Sequence, residues 1–153
     1  MAKVAAPAPA SAAPRRQALT GVLLRVLAIL TGGLVTATGW TLASPTTLPY
    51  APLHLSGGLF FLVTLAASAT TALVMGQPRA AFGSVPALSA VAAVLYGLVL
   101  ALPALVDPSL NAVGLVNYAI TQGAFAFFII LPLAFFGACV GLIAGYIWQD
   151  RTT

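Results

Sequence analysis

The sequence predicts an all-α membrane protein, a four-helix transmembrane bundle with both termini on the inner side (N-in/C-in) and a disordered N-terminal tail. Of the 153 residues, 61% are hydrophobic and only 5% are charged, whereas soluble domains carry about a quarter charged residues. Uncharged apolar runs cover residues 26–43, 55–75, 85–106 and 123–147. Each run is long enough to cross about 30 Å of hydrocarbon as a helix. One orientation of these four helices places all six basic residues on one side of the membrane.

The first 17 residues are predicted to form a disordered cytoplasmic tail. Alanine and proline dominate residues 5–14, and such a segment cannot bury enough apolar surface to offset its chain entropy. The first span is then expected at about residues 18–43. A cleaved secretory signal is the alternative, because Arg15 and Arg16 precede an apolar stretch. That stretch exceeds the usual signal core of about 7 to 15 residues, which favours a retained helix.

The remaining spans are expected at about residues 55–75, 85–106 and 123–147, so that residues 18–148 form the membrane domain and 149–153 a short cytoplasmic tail. The first outer loop contains three prolines, which fix φ and favour a stiff, extended connector. The second outer loop, residues 107–122, mixes apolar side chains with amides, which predicts a short helix lying in the membrane interface.

The positions of the charged residues determine the predicted orientation. With the N-terminus inside, the tail, the loop at residues 77–84 and the C-terminal residues hold five of the six lysines and arginines, Arg25 lies in the inner half of the first span, and the two outer loops hold none. The same scatter along the chain argues against a nucleic-acid surface, which needs clustered basic residues. Membrane anchors are predicted where a snorkelling guanidinium or an amphipathic ring lies near a span end. These anchors are Arg25, Trp40, Tyr146 and Trp148.

Three glycines in the fourth span form the most distinctive local motif. Gly137, Gly141 and Gly145 follow one another at intervals of four residues and therefore lie on one face of the helix. Glycines at this spacing open a flat groove that lets another helix approach closely. The motif predicts a helix-packing surface, and its partner can be a helix of the same chain, a second copy or another protein.

Hydroxylated residues recur at helical spacing in the first two spans and predict inward-facing sides of those helices. Their hydroxyl groups can bond within their own helix or across the bundle. Alternatively, they can line a narrow polar path for a solute. In the first span these residues are Thr31 and Thr38, and in the second span they are Ser56, Thr64, Ser68 and Thr71. Met75 has no hydroxyl group but continues the same helical spacing in the second span.

The sequence predicts neither an enzyme nor a metal site. One histidine, one cysteine and two acidic residues on opposite sides of the predicted membrane give no metal cluster, no paired carboxylates and no complete set of nucleophile, base and orienting group. No cofactor is predicted. His54, at the outer end of the second span, is the one candidate ligand for a haem or pigment metal. The commoner role of a lone histidine at this depth is an interfacial side chain bonded to water or headgroups.

These features predict a small non-catalytic, multi-pass protein of a bacterial inner (plasma) membrane. The expected role is an accessory or scaffold subunit, embedded in the lipid bilayer, that packs against itself or against a larger membrane complex. Nucleic acid is not an expected partner. Two alternatives stay open, namely a homo-oligomeric transporter or channel for a small solute, and a membrane subunit that binds haem or pigment.

Overall fold

A computed structural model of the protein describes residues 13–44, 55–107 and 111–152. Within these ranges the regular elements are four α-helices: α1 (Ala13–Ala43), α2 (Gly57–Met75), α3 (Pro78–Val106) and α4 (Ala112–Thr152). All four are long and apolar enough to cross a membrane. The predicted all-helical class with four apolar helices is confirmed, and the chain is a candidate multi-pass membrane protein. The N-in/C-in orientation stays a prediction.

α1 and α4 each pack against both α2 and α3. Consecutive helices run antiparallel, because the end of one helix contacts the start of the next, as Trp40 of α1 contacts Phe60 of α2. Thr71, near the end of α2, donates a hydrogen bond of 3.4 Å to the carbonyl oxygen of Ala28 in the middle of α1, and Arg25, one turn earlier in α1, lies beside Met75, the last residue of α2. Gly97 of α3 lies beside Ala119 of α4. The start of α1, the α2–α3 turn and the end of α4 therefore share one end of the bundle. We call it the basic end, because Arg25, Arg79 and Arg151 all lie towards it.

A very short turn joins α2 to α3. Gly76 has the left-handed backbone conformation (φ 65°, ψ −11°), and its N–H donates a 3.3 Å hydrogen bond to the carbonyl of Ala72. Pro78 begins α3, where a helix does not need the missing N–H. Only Gly76 and Gln77 separate the two helices. The prediction of a loop over residues 77–84 is therefore wrong, because residues 78–84 belong to α3. Ser84 is a buried helical residue.

The outer limits of α1 and α4 also differ from the predicted ones. α1 begins at Ala13, so residues 13–17 of the predicted disordered tail are helical; the rest of that tail lies outside the described residues. α4 runs unbroken for 41 residues, about 60 Å at 1.5 Å per residue. It includes most of the residues predicted to form a separate interfacial helix and most of the predicted C-terminal tail. Asn111 caps its first turn by accepting a 3.1 Å hydrogen bond from the Gly114 N–H.

Small side chains dominate the buried face of α4. Its buried residues recur every three or four positions, as expected for one face of a helix. They are Ala119, Gly123, Ala126, Ile130, Ala134, Gly137, Ala138 and Gly141. Large aliphatic and aromatic side chains occupy the outside of the bundle instead. Lipid tails are as apolar as leucine, so this distribution suits a helix bundle that is held by close packing rather than by hydrophobic burial.

Candidate functional site

The glycines of the predicted groove lie against α2. A Cβ atom at Gly137 would collide with the Ser68 hydroxyl oxygen and lie 2.6 Å from the carbonyl oxygen of Leu65. A Cβ atom at Gly141 would collide with the backbone of Ala69. At Gly145 the neighbour is a leucine side chain, 3.1 Å away. The groove is filled by a helix of the same chain, so it does not offer a free surface to another protein.

A second close contact joins the other half of α4 to α3. A Cβ atom at Gly123 would lie 3.1 Å from the carbonyl oxygen of Ala93, and one at Gly97 would lie 3.4 Å from that of Ala119. We did not predict this contact, although the sequence carries a signal for it. Ala93, Gly97 and Ala101 follow one another at intervals of four residues, as do Ala119 and Gly123.

Glycines also bring α1 close to its neighbours. A Cβ atom at Gly32 would lie 2.8 Å from the Thr71 hydroxyl oxygen, and one at Gly33 would lie 2.5 Å from Cγ1 of Val91. Both glycines are buried. Together with the contacts of α4, they show that backbone approach through glycine is the recurrent way in which these helices meet.

The prediction that Thr31 and Thr38 lie on the inward face of α1 is wrong. Thr31 and Thr38 are exposed, whereas Thr36 and Ala37 are buried. The buried stripe of α1 includes Gly32, Gly33, Thr36 and Ala37, and residues 31 and 38 fall outside it. The Thr38 hydroxyl donates a 2.9 Å hydrogen bond to the carbonyl of Leu34, which satisfies the hydroxyl without a partner from another helix.

The predicted inward face of α2 is confirmed for four of its five residues. Thr64, Ser68, Thr71 and Met75 are buried. Ser56 is exposed and has a different role, because its hydroxyl oxygen accepts a 3.3 Å hydrogen bond from the Leu59 N–H and caps the helix. Ser68 and Thr71 donate hydrogen bonds to carbonyls one turn earlier in α2.

Trp40, one of the predicted membrane anchors, is partly buried, and its ring packs within the bundle. Its ring packs edge-on against Phe60, with the centroids 5.1 Å apart, and against Tyr96, with the centroids 6.1 Å apart. The reason is its position in α1, four residues after the buried Thr36 and therefore on the same helix face. This aromatic cluster holds α1, α2 and α3 together near the end of the bundle opposite the basic end.

The other predicted anchors are exposed. Arg25 lies beside Met75 and Ser84 in a shallow cleft near the basic end. Tyr146 and Trp148 are 77% and 72% exposed in the last turns of α4, and such positions are open to lipid or headgroups. Their role at a membrane interface stays a prediction.

His54, the candidate cofactor ligand, lies outside the described residues. Within residues 13–44, 55–107 and 111–152, no group of three or more histidine, cysteine, aspartate or glutamate side chains could hold a metal ion. Cys139 is partly buried in α4 as a free thiol. The described residues therefore add nothing to the haem or pigment alternative.

Four buried polar groups lack a hydrogen-bond partner within the described part of the chain. They are the hydroxyl groups of Thr36, Thr64 and Ser89 and the indole N–H of Trp40. The three hydroxylated residues are completely buried. A buried polar group without a partner costs about 1 to 3 kcal/mol, so this set is the least expected feature of the interior.

The outer surface carries an apolar cleft of about 580 Å³ between α3 and α4. Small residues line much of it, including Ala90, Gly97, Ala101 and Ala124. Ala90 and Ala124 are exposed. Unlike the glycine groove, this cleft is not filled by a described helix of the chain.

The fold and these contacts define a four-helix candidate membrane protein whose helices meet through glycine and alanine. No protein-family model matches the chain, and no characterised protein or solved structure matches it either. The contacts of the described residues are therefore the basis for the functional proposal.

Proposed function

We propose that the protein is a non-catalytic accessory or scaffold subunit that packs against a larger membrane complex. The observation that carries this proposal is the cleft between α3 and α4. It is an open surface with small, apolar walls on the outside of the bundle. Such a surface suits the helix of a partner, since small residues allow two membrane helices to approach closely.

The contacts inside the chain support this use of the cleft. The helices of the bundle already meet where glycine or alanine replaces a larger side chain, as Gly123 does against Ala93. A partner helix in the cleft would gain dispersion contacts of the same kind, which flexible lipid tails match less well. A charged or polar ligand would find few groups to bind there, because the lining residues are alanine, glycine, valine, leucine, isoleucine and phenylalanine.

The proposal includes an orientation and a location. We place the basic end on the cytoplasmic side of a bacterial inner membrane, since inner loops carry the excess of lysine and arginine. Arg25, Arg79 and Arg151 would then lie on the inner side. The cleft, formed by residues from both α3 and α4, would face the lipid bilayer and be open to a neighbouring helix.

Extraction in mild detergent tests the proposal. A tagged chain should be recovered with a larger membrane complex, and deletion of the chain should lower the amount or activity of that complex. Ala124→Leu adds a branched side chain inside the cleft and should reduce recovery of the partner at least several-fold. Ala144→Leu is the matched control, because Ala144 is also exposed on α4 but does not line the cleft. Recovery of the chain alone would contradict the proposal.

A transporter or channel for a small solute is the second candidate. The buried hydroxyl groups of Thr36, Thr64 and Ser89, which lack partners among the described residues, favour it, because such groups can coordinate a solute. Recovery of only identical copies, together with solute flux in proteoliposomes, would replace the accessory role with this one. A coloured cofactor lost in His54→Ala would instead support the haem or pigment role, and an absorbance spectrum would reveal it.

A further inference from the structure

We propose that Thr36, Trp40, Thr64 and Ser89 form a buried hydration site, in which ordered water completes their hydrogen bonds. The inference is independent of the accessory role, since it concerns the interior of the bundle and not its outer cleft. It rests on four polar groups without partners in the described residues and on their position in one part of the fold.

The register of α1 and α2 brings three of these groups together. Trp40 and Phe60 are in ring contact, with centroids 5.1 Å apart. Thr36 is one turn from Trp40 towards the basic end, and Thr64 is one turn from Phe60 in the same direction, because the helices are antiparallel. Thr36 and Thr64, both completely buried, therefore lie at the same level of the two helices, one turn from the Trp40–Phe60 contact.

Ser89 borders this seam from α3. It precedes Tyr96 by two turns on the same helix face, and the Tyr96 ring lies against Trp40. The preceding carbonyl, that of Leu88, would be 3.3 Å from a Cβ atom at Gly33, three residues before Thr36. The three helices thus supply polar groups to a region about two helical turns long.

Other threonines show that these groups are exceptional. The hydroxyls of Thr38, Thr41, Thr70 and Thr71 each donate a hydrogen bond of 2.8 to 2.9 Å to the carbonyl four residues earlier. The same bond is open to any helical threonine. Thr36 and Thr64 do not make it, so their hydroxyls stay available for another partner.

Water matches the chemistry of the four groups. Each hydroxyl can donate and accept a hydrogen bond, and the indole N–H can only donate. A buried water typically makes about three hydrogen bonds to groups that otherwise lack partners. A charged occupant is disfavoured, because the sequence has no Asp, Glu, Lys or Arg at residues 26–78 or 80–106. An unpaired ion in this interior would keep its full desolvation cost.

The indole N–H vibration of Trp40 tests the site directly. In a Trp148→Phe background, Trp40 is the only tryptophan, so its vibrational spectrum is unambiguous. The expected band is that of a hydrogen-bonded indole, and it should move towards the free form when Thr36→Val and Thr64→Val are combined. A free indole N–H in the parent, or a hydrogen-bonded band unchanged by the double substitution, would overturn the proposal.

Isosteric substitution gives a second test with opposite outcomes. If water bonds to the Thr64 hydroxyl, Thr64→Val removes one of its partners and should lower the melting temperature in detergent. If the site is dry, the same change removes an unsatisfied hydroxyl and should raise it. Thr38→Val is the control, since its exposed hydroxyl bonds to its own helix, and it should shift the melting temperature less than Thr64→Val. A higher melting temperature for Thr64→Val would overturn the proposal.

Discussion

Gly141 of α4 lies against the backbone of Ala69 of α2, where a Cβ atom would be 2.9 Å from the Ala69 Cα. The obstacle is a neighbouring backbone, so rotation of a side chain cannot relieve it. Gly137, one turn earlier, lies against the backbone carbonyl of Leu65 and the side chain of Ser68. The two glycines make the contact between α2 and α4 dependent on the absence of side chains.

Gly141→Leu is therefore expected to destabilise the bundle. Forcing a branched side chain between two packed backbones costs about 1 to 3 kcal/mol, and unfolding in detergent measures the loss. Ala144→Leu adds the same side chain three residues further on α4 at an exposed position and should change stability much less. Equal stability of the two variants would show that α2 and α4 do not meet at Gly141.

Gly76→Ala is expected to destabilise the α2–α3 turn by about 1 to 2 kcal/mol, because the left-handed conformation is unfavourable for residues with a Cβ atom. Gly83→Ala is the matched control. A Cβ atom at either position meets no other atom within 4 Å, and only Gly76 has a positive φ. In the helix interior the change at Gly83 should stabilise the protein by about 0.5 to 1 kcal/mol. Opposite shifts of the melting temperature check both expectations.

Phe60→Leu is expected to loosen α1 from α2. The substitution removes the edge-on contact with Trp40, and an aromatic pair is worth about 0.5 to 1.5 kcal/mol beyond its buried area. Phe61→Leu is the control, because Phe61 is 40% exposed whereas Phe60 is 5% exposed. The free energies of unfolding of the two variants, measured in detergent, should differ by at least the energy of the ring contact. An equal effect would contradict the role of the aromatic cluster.

The orientation can be tested with single cysteines in a Cys139→Ala background. Gln77 and Ala112 are exposed and lie at opposite ends of the bundle. With the basic end inside, an impermeant maleimide applied to intact cells should label Ala112→Cys and not Gln77→Cys. After membrane permeabilisation both should react. Labelling of Gln77→Cys alone in intact cells would reverse the proposed orientation.

The number of helices could be predicted from the sequence because hydropathy reports the four apolar runs directly. The helix limits could not, because hydropathy reports the part of a helix that suits lipid and not where its hydrogen bonds end. α3 begins at Pro78, seven residues before the predicted span, and nothing in residues 78–84 interrupts a helix. α4 extends beyond its predicted span at both ends for the same reason.

The faces of the helices were harder to predict than their number. In a soluble helix, polar residues mark the outside, but in these spans both sides are apolar. Thr36 is buried and Thr38 is exposed, although the two side chains are chemically identical. Glycine spacing identified one close contact, at Gly137 and Gly141, without its partner, since the position of α2 depends on the whole bundle. The unpaired hydroxyl of Ser89 has no sequence signal, because pairing is a property of three-dimensional contacts.

The turn at Gly76 and Gln77 has a consequence for how the chain enters the bilayer. Two residues cannot span any appreciable distance, so α2 cannot settle in its final position while α3 stays far away in the aqueous phase. We expect residues 57–106 to insert as one helical hairpin. The hydroxyl-rich α2 would then enter lipid already beside α3, which has fewer serines and threonines, and this lowers the cost of transferring the hydroxyl groups of α2 during biogenesis.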